Sequence, residues 1–313
     1  MKEIGGYLEL DNLVHNEYYP NYIALNTARN ALVYICRARK IKKLFIPYYL
    51  WDSVSGVCER EKIEYKYYHI NADFTPSFDE KLEENEYLYI VNYFGQLTNE
   101  FISTLKSNYS NLIVDNVQAF FQKAVACVDT IYSCRKFFGV PDGAYLSTDK
   151  ILDEELAIDI SKDRMKHILG RYERFASEYY EDFKLNDESF IYLPLKKMSK
   201  LTKNILGAID YDFVIKRRNE NWQFLNEKLK NKNKLKLTIS NAPYMYPFYC
   251  ENGMEIKRKL AEKQIYIPTL WPNVLTLDGT LEKDYAENIL PLPCDQRYTL
   301  EEMKELFKEI ENV

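Results

Sequence analysis

Between residues 22 and about 148, short apolar runs alternate with amphipathic stretches, and this alternation restricts the chain to a small set of folds. The spacing predicts a helix over Thr27–Arg39, with Thr27 or Asn26 as its cap and Ala31, Leu32 and Ile35 on one face. LFIP (44–47) reads as a strand, followed by a helix from about Asp52 to Glu61 and the β-rich run IEYKYYHI (63–70). YLYIVNYF (87–94) is another strand; a helix across Asn99–Ser107 comes next, then LIVD (112–115), DTIYS (129–133) and AYLS (144–147). Strands apolar on both faces and alternating with helices predict an α/β fold: a mainly parallel sheet with helices on both faces.

The second half has a different texture. Residues 150–231 are mostly helical in pattern, with a break near Asn186–Pro194. YMYPFYC (244–250), a helix over Met254–Lys263, IYIP (265–268), NILPLP (288–293) and a last helix over Leu300–Glu311 make a smaller α+β unit. A boundary near residue 208 therefore divides the chain into a large α/β domain, 1–208, and a small C-terminal domain, 209–313. No internal repeat or low-complexity tract interrupts this plan.

Composition excludes several classes of function. A formal charge of −5 lacks the basic excess of a nucleic-acid footprint, and the lysines between Lys228 and Lys236 read as a solvated helix end. Six cysteines at 36, 58, 127, 134, 250 and 294 form no CxxC pair, which predicts reduced thiols in a cytosolic protein. His15, His69 and His167 stand alone, so no metal site is expected. The start MKEIGGYLELDN has no basic segment leading into an apolar one, and no apolar run approaches the roughly 18 residues of a bilayer span. A cytoplasmic protein without membrane contact is expected, and the glycosylation triplet Asn108-Tyr109-Ser110 is then a coincidence of composition.

Ligands of open parallel sheets bind beyond the carboxyl ends of the strands. Asp115 closes LIVD, Asn92 stands in IVNYFG (90–95), and Lys136 follows IYS in IYSCRKFFGVPDG (131–143). An aspartate after an apolar strand ligates a metal, caps a helix or is merely solvated, and alone it decides nothing. Lys136 sits three residues after Ser133 and before the turn-rich FGVPDG, which places its amine on a constrained loop. Desolvation and the neighbouring Arg135 lower the pKa of such an amine and make it nucleophilic toward an aldehyde. Its bland reading is a surface lysine beside an arginine.

Taken in order, the motifs resemble the DegT/DnrJ/StrS-type sugar aminotransferases, enzymes of the fold-type I pyridoxal-phosphate architecture. ALNTARNAL (24–32) takes the place of that family's phosphate-binding turn, and IPYYLWDSV (46–54) that of its proline and ring-covering aromatic. IVNYFGQ (90–96), IVDNVQAFF (113–121) and IYSCRKFFGVPDGAYL (131–146) resemble its next three motifs, the last with Lys136 on the Schiff-base lysine. MSKLTKNILGAIDYDFVIKRRNENW (198–222) resembles its MSEL…R helix and ILPLP (289–293) its late strand.

The resemblance implies pyridoxal 5'-phosphate as cofactor and a role for each matching residue. Asp115 would hold the proton on the pyridine nitrogen, and Lys136 would carry the cofactor and then move a proton between substrate and cofactor. Gln118 would approach the phenolic oxygen, and Trp51, otherwise a core tryptophan, would stack on the ring. The backbone amides of Ala28 and Arg29 and the hydroxyl of Ser133 would hold the phosphate. The implied reaction passes an amino group from a donor such as glutamate to a nucleotide-linked keto-sugar, in a homodimer, as part of polysaccharide biosynthesis.

Departures from the family pattern bear on the substrate more than on the cofactor. Arg29 replaces the family's threonine, the GEGG turn is PDGA, and the serine lies at another spacing from the lysine. The family's Asn-Tyr-Arg, whose asparagine reaches the neighbouring subunit's phosphate, is here Leu195-Lys196-Lys197, so Lys196 or Lys197 would supply charge at a reworked contact. Two other readings stay open: a non-catalytic relative that acts as a binding or regulatory module, and a pyridoxal-phosphate enzyme of another reaction type such as a dehydratase. A nucleotide-binding protein of another kind finds neither GxGxxG nor GxxxxGK to rest on.

Overall fold

A computed structural model describes residues 8–14 and 16–313; His15 and the first seven residues lie outside it. The first strand, β1 (Ile23–Leu25), leads into α1 (Ala28–Arg39), capped by Thr27, whose hydroxyl accepts the Asn30 N–H at 3.0 Å. β2 (Lys43–Pro47), α2 (Ser53–Glu61) and β3 (Glu64–Ile70) follow at the expected places, with a two-residue strand, β4 (Pro76–Ser77), folded back on β3. β5 (Glu86–Val91), α3 (Asn99–Asn108), β6 (Leu112–Asp115), β7 (Asp129–Ser133) and β8 (Ala144–Ser147) complete the sheet.

The eight strands stand in the order β1-β8-β7-β6-β5-β2-β3-β4. Pairings among β2, β3, β5, β6 and β7 are parallel, whereas β8, β1 and β4 add antiparallel edges. This is the predicted α/β sheet, with two short strands, β1 and β4, that apolar patterning does not announce. Every residue of β6 is buried, and β5 is buried from Tyr87 to Val91, so one face packs under α1 and the other under α3. Each such large side chain contributes about 1.5–3 kcal/mol on leaving water.

The strand expected over residues 87–94 stops at Val91. Asn92 still donates its N–H to the Asp115 carbonyl at 3.0 Å, but its side-chain oxygen takes the Leu97 N–H at 2.8 Å and Phe94 adopts φ 54°. A side chain that bonds to nearby backbone turns the chain away from the ladder. Asn92 is therefore a fully buried structural residue of the strand end.

Beyond β8 come α4 (Lys166–Glu173), α5 (Tyr180–Ser189), α6 (Lys200–Gly207) and the long α7 (Tyr211–Leu229). The break expected near Asn186–Pro194 begins only after α5 ends at Ser189, and residues 150–161, expected to be mostly helical, contain no helix. β9 (Met245–Tyr249) pairs antiparallel with β10 (Ile289–Pro293), and α8 (Gly253–Glu262), α9 (Leu281–Asn288) and α10 (Leu300–Glu311) surround them. IYIP (265–268) adds no strand; Ile267 is buried in the C-terminal cluster and Tyr266 lies on the surface. Residue 208, at which we propose the domain boundary, falls in the turn between α6 and α7.

Candidate active site

Asp115, the last residue of β6, stands in register with Val91 of β5 and Ile131 of β7, at the carboxyl edge of the parallel strands. The Val117 N–H donates to its Oδ1 at 2.9 Å and the Tyr89 hydroxyl to its Oδ2 at 2.6 Å. Burial pushes this carboxyl up; the Tyr89 hydrogen bond, the charge of Lys136 and the Val117 amide pull against that. A carboxylate fixed by two donors and removed from water is best satisfied by a cation that comes to it.

Lys136 lies in the turn after β7. The Cys134 carbonyl accepts from the amides of Phe137 and Phe138, and the Cys134 N–H donates to the Gly143 carbonyl at 3.0 Å. Gly143 closes the loop by donating to the Asn26 carbonyl at 2.7 Å. Its φ of +113° suits glycine, and a Cβ there would sit 2.9 Å from the Thr202 methyl. Buried Asp142 anchors the same turn to the start of α6, accepting the Ser199 N–H at 3.1 Å, the Ser199 hydroxyl at 2.8 Å and the Thr202 hydroxyl. The Lys136 amine is thus carried on a braced loop.

That amine borders a cavity of about 290 Å³, and the Lys136 residue itself keeps an exposed surface. Desolvation lowers its pKa; Asp115 and Asp187 act in the opposite direction, and Arg135 and Arg29 reinforce the lowering. Its Nζ lies 5.6 Å from the centre of the Tyr244 ring. A shifted amine facing a buried carboxylate across a cavity is the arrangement expected of a nucleophile.

Six of the seven candidate residues line this one cavity: Ala28, Arg29, Trp51, Asp115, Ser133 and Lys136. Thr27 has already taken the Asn30 amide, and Ala31 donates to the Thr27 carbonyl at 2.9 Å. The amides of Ala28 and Arg29 therefore remain as the free donors of α1, suited to a phosphate. Trp51 is 45% exposed, on the loop that follows β2. Gln118, the seventh, is buried but is not among the lining residues; its Oε1 accepts the Phe94 N–H at 2.8 Å and its Nε2 has no partner.

Several lining residues escaped the sequence reading. Tyr89 belongs here because β5 neighbours β6, a fact of sheet order that spacing does not carry. Trp271 enters from the C-terminal unit and packs at 4.3 Å on Tyr49, while Asn273 donates to the Leu50 carbonyl at 2.8 Å. Asp187 and Phe190 come from the end of α5 to meet Arg135. Lys196 pairs within the chain, 3.4 Å from Asp159, and the backbone of Lys197 bridges to Leu25 and Ile158. Among the described residues no group of His, Cys, Asp and Glu could hold a metal. A smaller cleft of about 190 Å³ between Asp73 and Lys236 has no enclosed titratable pair.

No protein-family model matches the sequence, and no curated protein does. Solved structures do match in shape. A DegT DnrJ EryC1 StrS aminotransferase from Brucella abortus superposes with a TM-score of 0.63 at 16% identity, over 93% of this chain and 85% of that one. NtdA from Bacillus subtilis, with bound cofactor PMP, gives 0.66 at 16% identity over 93% and 72%. Helicobacter pylori PseC, an aminotransferase involved in the biosynthesis of pseudoaminic acid, gives 0.61 at 14% over 92% and 85%. The fold is that of the fold-type I aminotransferases, as the motifs imply.

Proposed function

We propose that this protein is a pyridoxal-phosphate-dependent aminotransferase that passes an amino group from glutamate or a similar donor to a nucleotide-linked keto-sugar. The observation that carries the reading is the convergence of Lys136 and Asp115, from two strand ends, on one cavity at the carboxyl edge of the sheet. One orphaned buried atom of the lining suits the cofactor's oxygens: Nε of Arg29 has no partner. The donor set suits it too, with α1 amides and Ser133 for a phosphate and Asp115 for a ring nitrogen.

Pyridoxal phosphate supplies, when bound, an aldehyde carbon and a ring that takes up electron density. The chain's own residues do the rest. Asp115, tethered by Tyr89 and Val117, would hold the protonated ring nitrogen. Lys136, with its pKa lowered by desolvation, would hold the aldehyde and, when free, would move a proton at the substrate's reacting carbon. Trp51 and Trp271 bound the cavity and limit water there.

A homodimer belongs to this reading. Leu169 and Tyr172 on α4, Phe183 and Leu185 on α5, and Phe175 and Tyr192 in the chain beside them are exposed, and a second copy would cover them. A cytoplasmic setting, with all six cysteines free, fits as well, and no helix among the described residues is long and apolar enough to cross a membrane.

The test is spectroscopic. Purified protein given pyridoxal phosphate is expected to develop the near-visible absorbance of a lysine-bound aldehyde, and borohydride should fix the label on Lys136. Folded, saturated protein without that band sinks the reading. Release of an oxo acid from glutamate, followed by amination of a keto-sugar nucleotide, then separates transamination from other reactions on the same cofactor.

A further inference from the structure

Arg29 and Arg135 reach the same cavity from different elements, Arg29 from the first turn of α1 and Arg135 from the loop after β7. Burial is the main force that pushes both guanidinium groups toward their neutral form, and the charge of Arg29 adds to the cost at Arg135. One carboxylate answers for both: Asp187 at the end of α5 is the first charge to oppose that shift at each of them, and it acts on Lys136 as well. It does so loosely. Only its Oδ1 is engaged, accepting from Nη1 and Nη2 of Arg135 at 3.3 Å each, and the side chain remains half-exposed. Nε of Arg29 is buried without any partner.

Well-made bonds between guanidinium and an oxyanion run to about 2.7–2.9 Å and use two oxygens. The flat face of Arg135 is already held by the Phe190 ring, 3.9 Å away, so its donor edge is pre-oriented. The free amides of Ala28 and Arg29 line the same space and favour negative charge. Lys136 has Asp115 as its first counter-charge, so two guanidinium groups and a helix start, against the single weakly bound Asp187, form a cradle for a multiply charged anion.

We infer that Arg29 and Arg135 form a phosphate-ester site in which Asp187 is the built-in counter-anion, displaced when the ligand's phosphate enters between them. The ligand class rests on the function proposed above, which offers two sources of the same chemistry: the cofactor's phosphate and the diphosphate of a nucleotide-linked substrate. The charge argument stands without it.

The experiment titrates the full-length protein with inorganic phosphate, pyridoxal phosphate, pyridoxal and uridine diphosphate, following Trp51 and Trp271 by fluorescence. Variants D187N and R135Q are compared with the parent, R135K tests rescue, and thermal melts check folding; D187A replaces D187N if the latter does not fold. D187N is expected to bind inorganic phosphate roughly tenfold tighter and R135Q roughly tenfold weaker, with R135K between R135Q and the parent. Weaker pyridoxal phosphate with unchanged pyridoxal in R135Q assigns the site to the cofactor. Weaker uridine diphosphate, with pyridoxal phosphate unchanged, assigns it to the substrate. Equal phosphate affinity in the folded parent, D187N and R135Q overturns the inference. Near-visible absorbance is read on the same samples: its absence beside a phosphate effect sinks the aminotransferase reading alone, and its presence without one sinks this inference alone.

Discussion

Two lysines carry amines partly withdrawn from water: Lys257 on α8 of the C-terminal unit, which is buried, and Lys136 at the carboxyl edge of the large sheet, which keeps an exposed surface beside its cavity. Desolvation is the main force lowering the pKa of both amines. Their surroundings differ. The Lys257 ammonium donates to the Ala286 carbonyl at 2.9 Å and more distantly to the Glu287 carbonyl and the Thr269 hydroxyl, so it caps the last turn of α9. Lys136 makes no hydrogen bond among the described residues, opens on a cavity and faces a buried carboxylate. Desolvation alone therefore does not single out a nucleophile. Desolvation with the donors left free, and with space beside the amine, is the arrangement that suits one.

The largest effect expected from breaking this contrast is at Lys136. Lys136→Ala should lose the near-visible band and all measurable amino transfer while keeping the parent's melting temperature within a few degrees. A variant that still transfers amino groups would remove the site from Lys136. Asp115→Asn sharpens the same side: it should retain cofactor but lose transfer by roughly 10²–10⁴-fold, the scale on which charged groups at reacting centres act. Single-turnover absorbance kinetics would read that loss, and a near-parental rate would deny Asp115 its role.

Lys257 tests the other side through pH. Its pKa is lowered to about 8 in the folded chain from an ordinary 10.5, so between those values the unfolded chain binds the extra proton. This group's contribution to stability is therefore unfavourable below about 8 and improves as pH rises toward 10.5, by roughly 3 kcal/mol in all. Urea unfolding at pH 7 and pH 9.5 should show roughly 2 kcal/mol of that rise in the parent and not in Lys257→Met; parallel curves would mean that the amine is no more buried in practice than a surface one. The smallest effect belongs to Thr269→Val, which removes a 3.5 Å contact to Lys257 and a 3.7 Å contact to the Met254 sulfur and should cost less than about 0.5 kcal/mol.

The same contrast shows what could be read from the sequence. Lys136 and Asp115 were legible because Asp115 ends one apolar strand and Lys136 lies in the turn just after another, and the order of the strands puts both on one edge. Ala28 and Arg29 follow a recognisable cap, and Thr27 makes the expected hydrogen bond. Lys257 looks like any charged residue of an amphipathic helix, because its partners are carbonyl groups, which sequence does not distinguish. Asp187 and Trp271 were hidden for a related reason: each reaches the cavity from a segment whose place over the sheet is set by tertiary packing. The strand end at Val91 was misjudged by three residues, since the turn there is made by the side chain of Asn92.

The pairing of β1 with β8 has a consequence for how the protein is made. Ile23 leaves the ribosome long before Leu146, the residue it must pair with. Translation proceeds at about 5–20 residues per second, so the N-terminal strand waits for seconds with its edge unpaired. The start of α1, with its free amides, is attached directly to that strand. A nascent chain halted anywhere before residue 144 would thus hold that helix start but have nowhere to fasten it, which makes this cavity one of the last features to mature during synthesis.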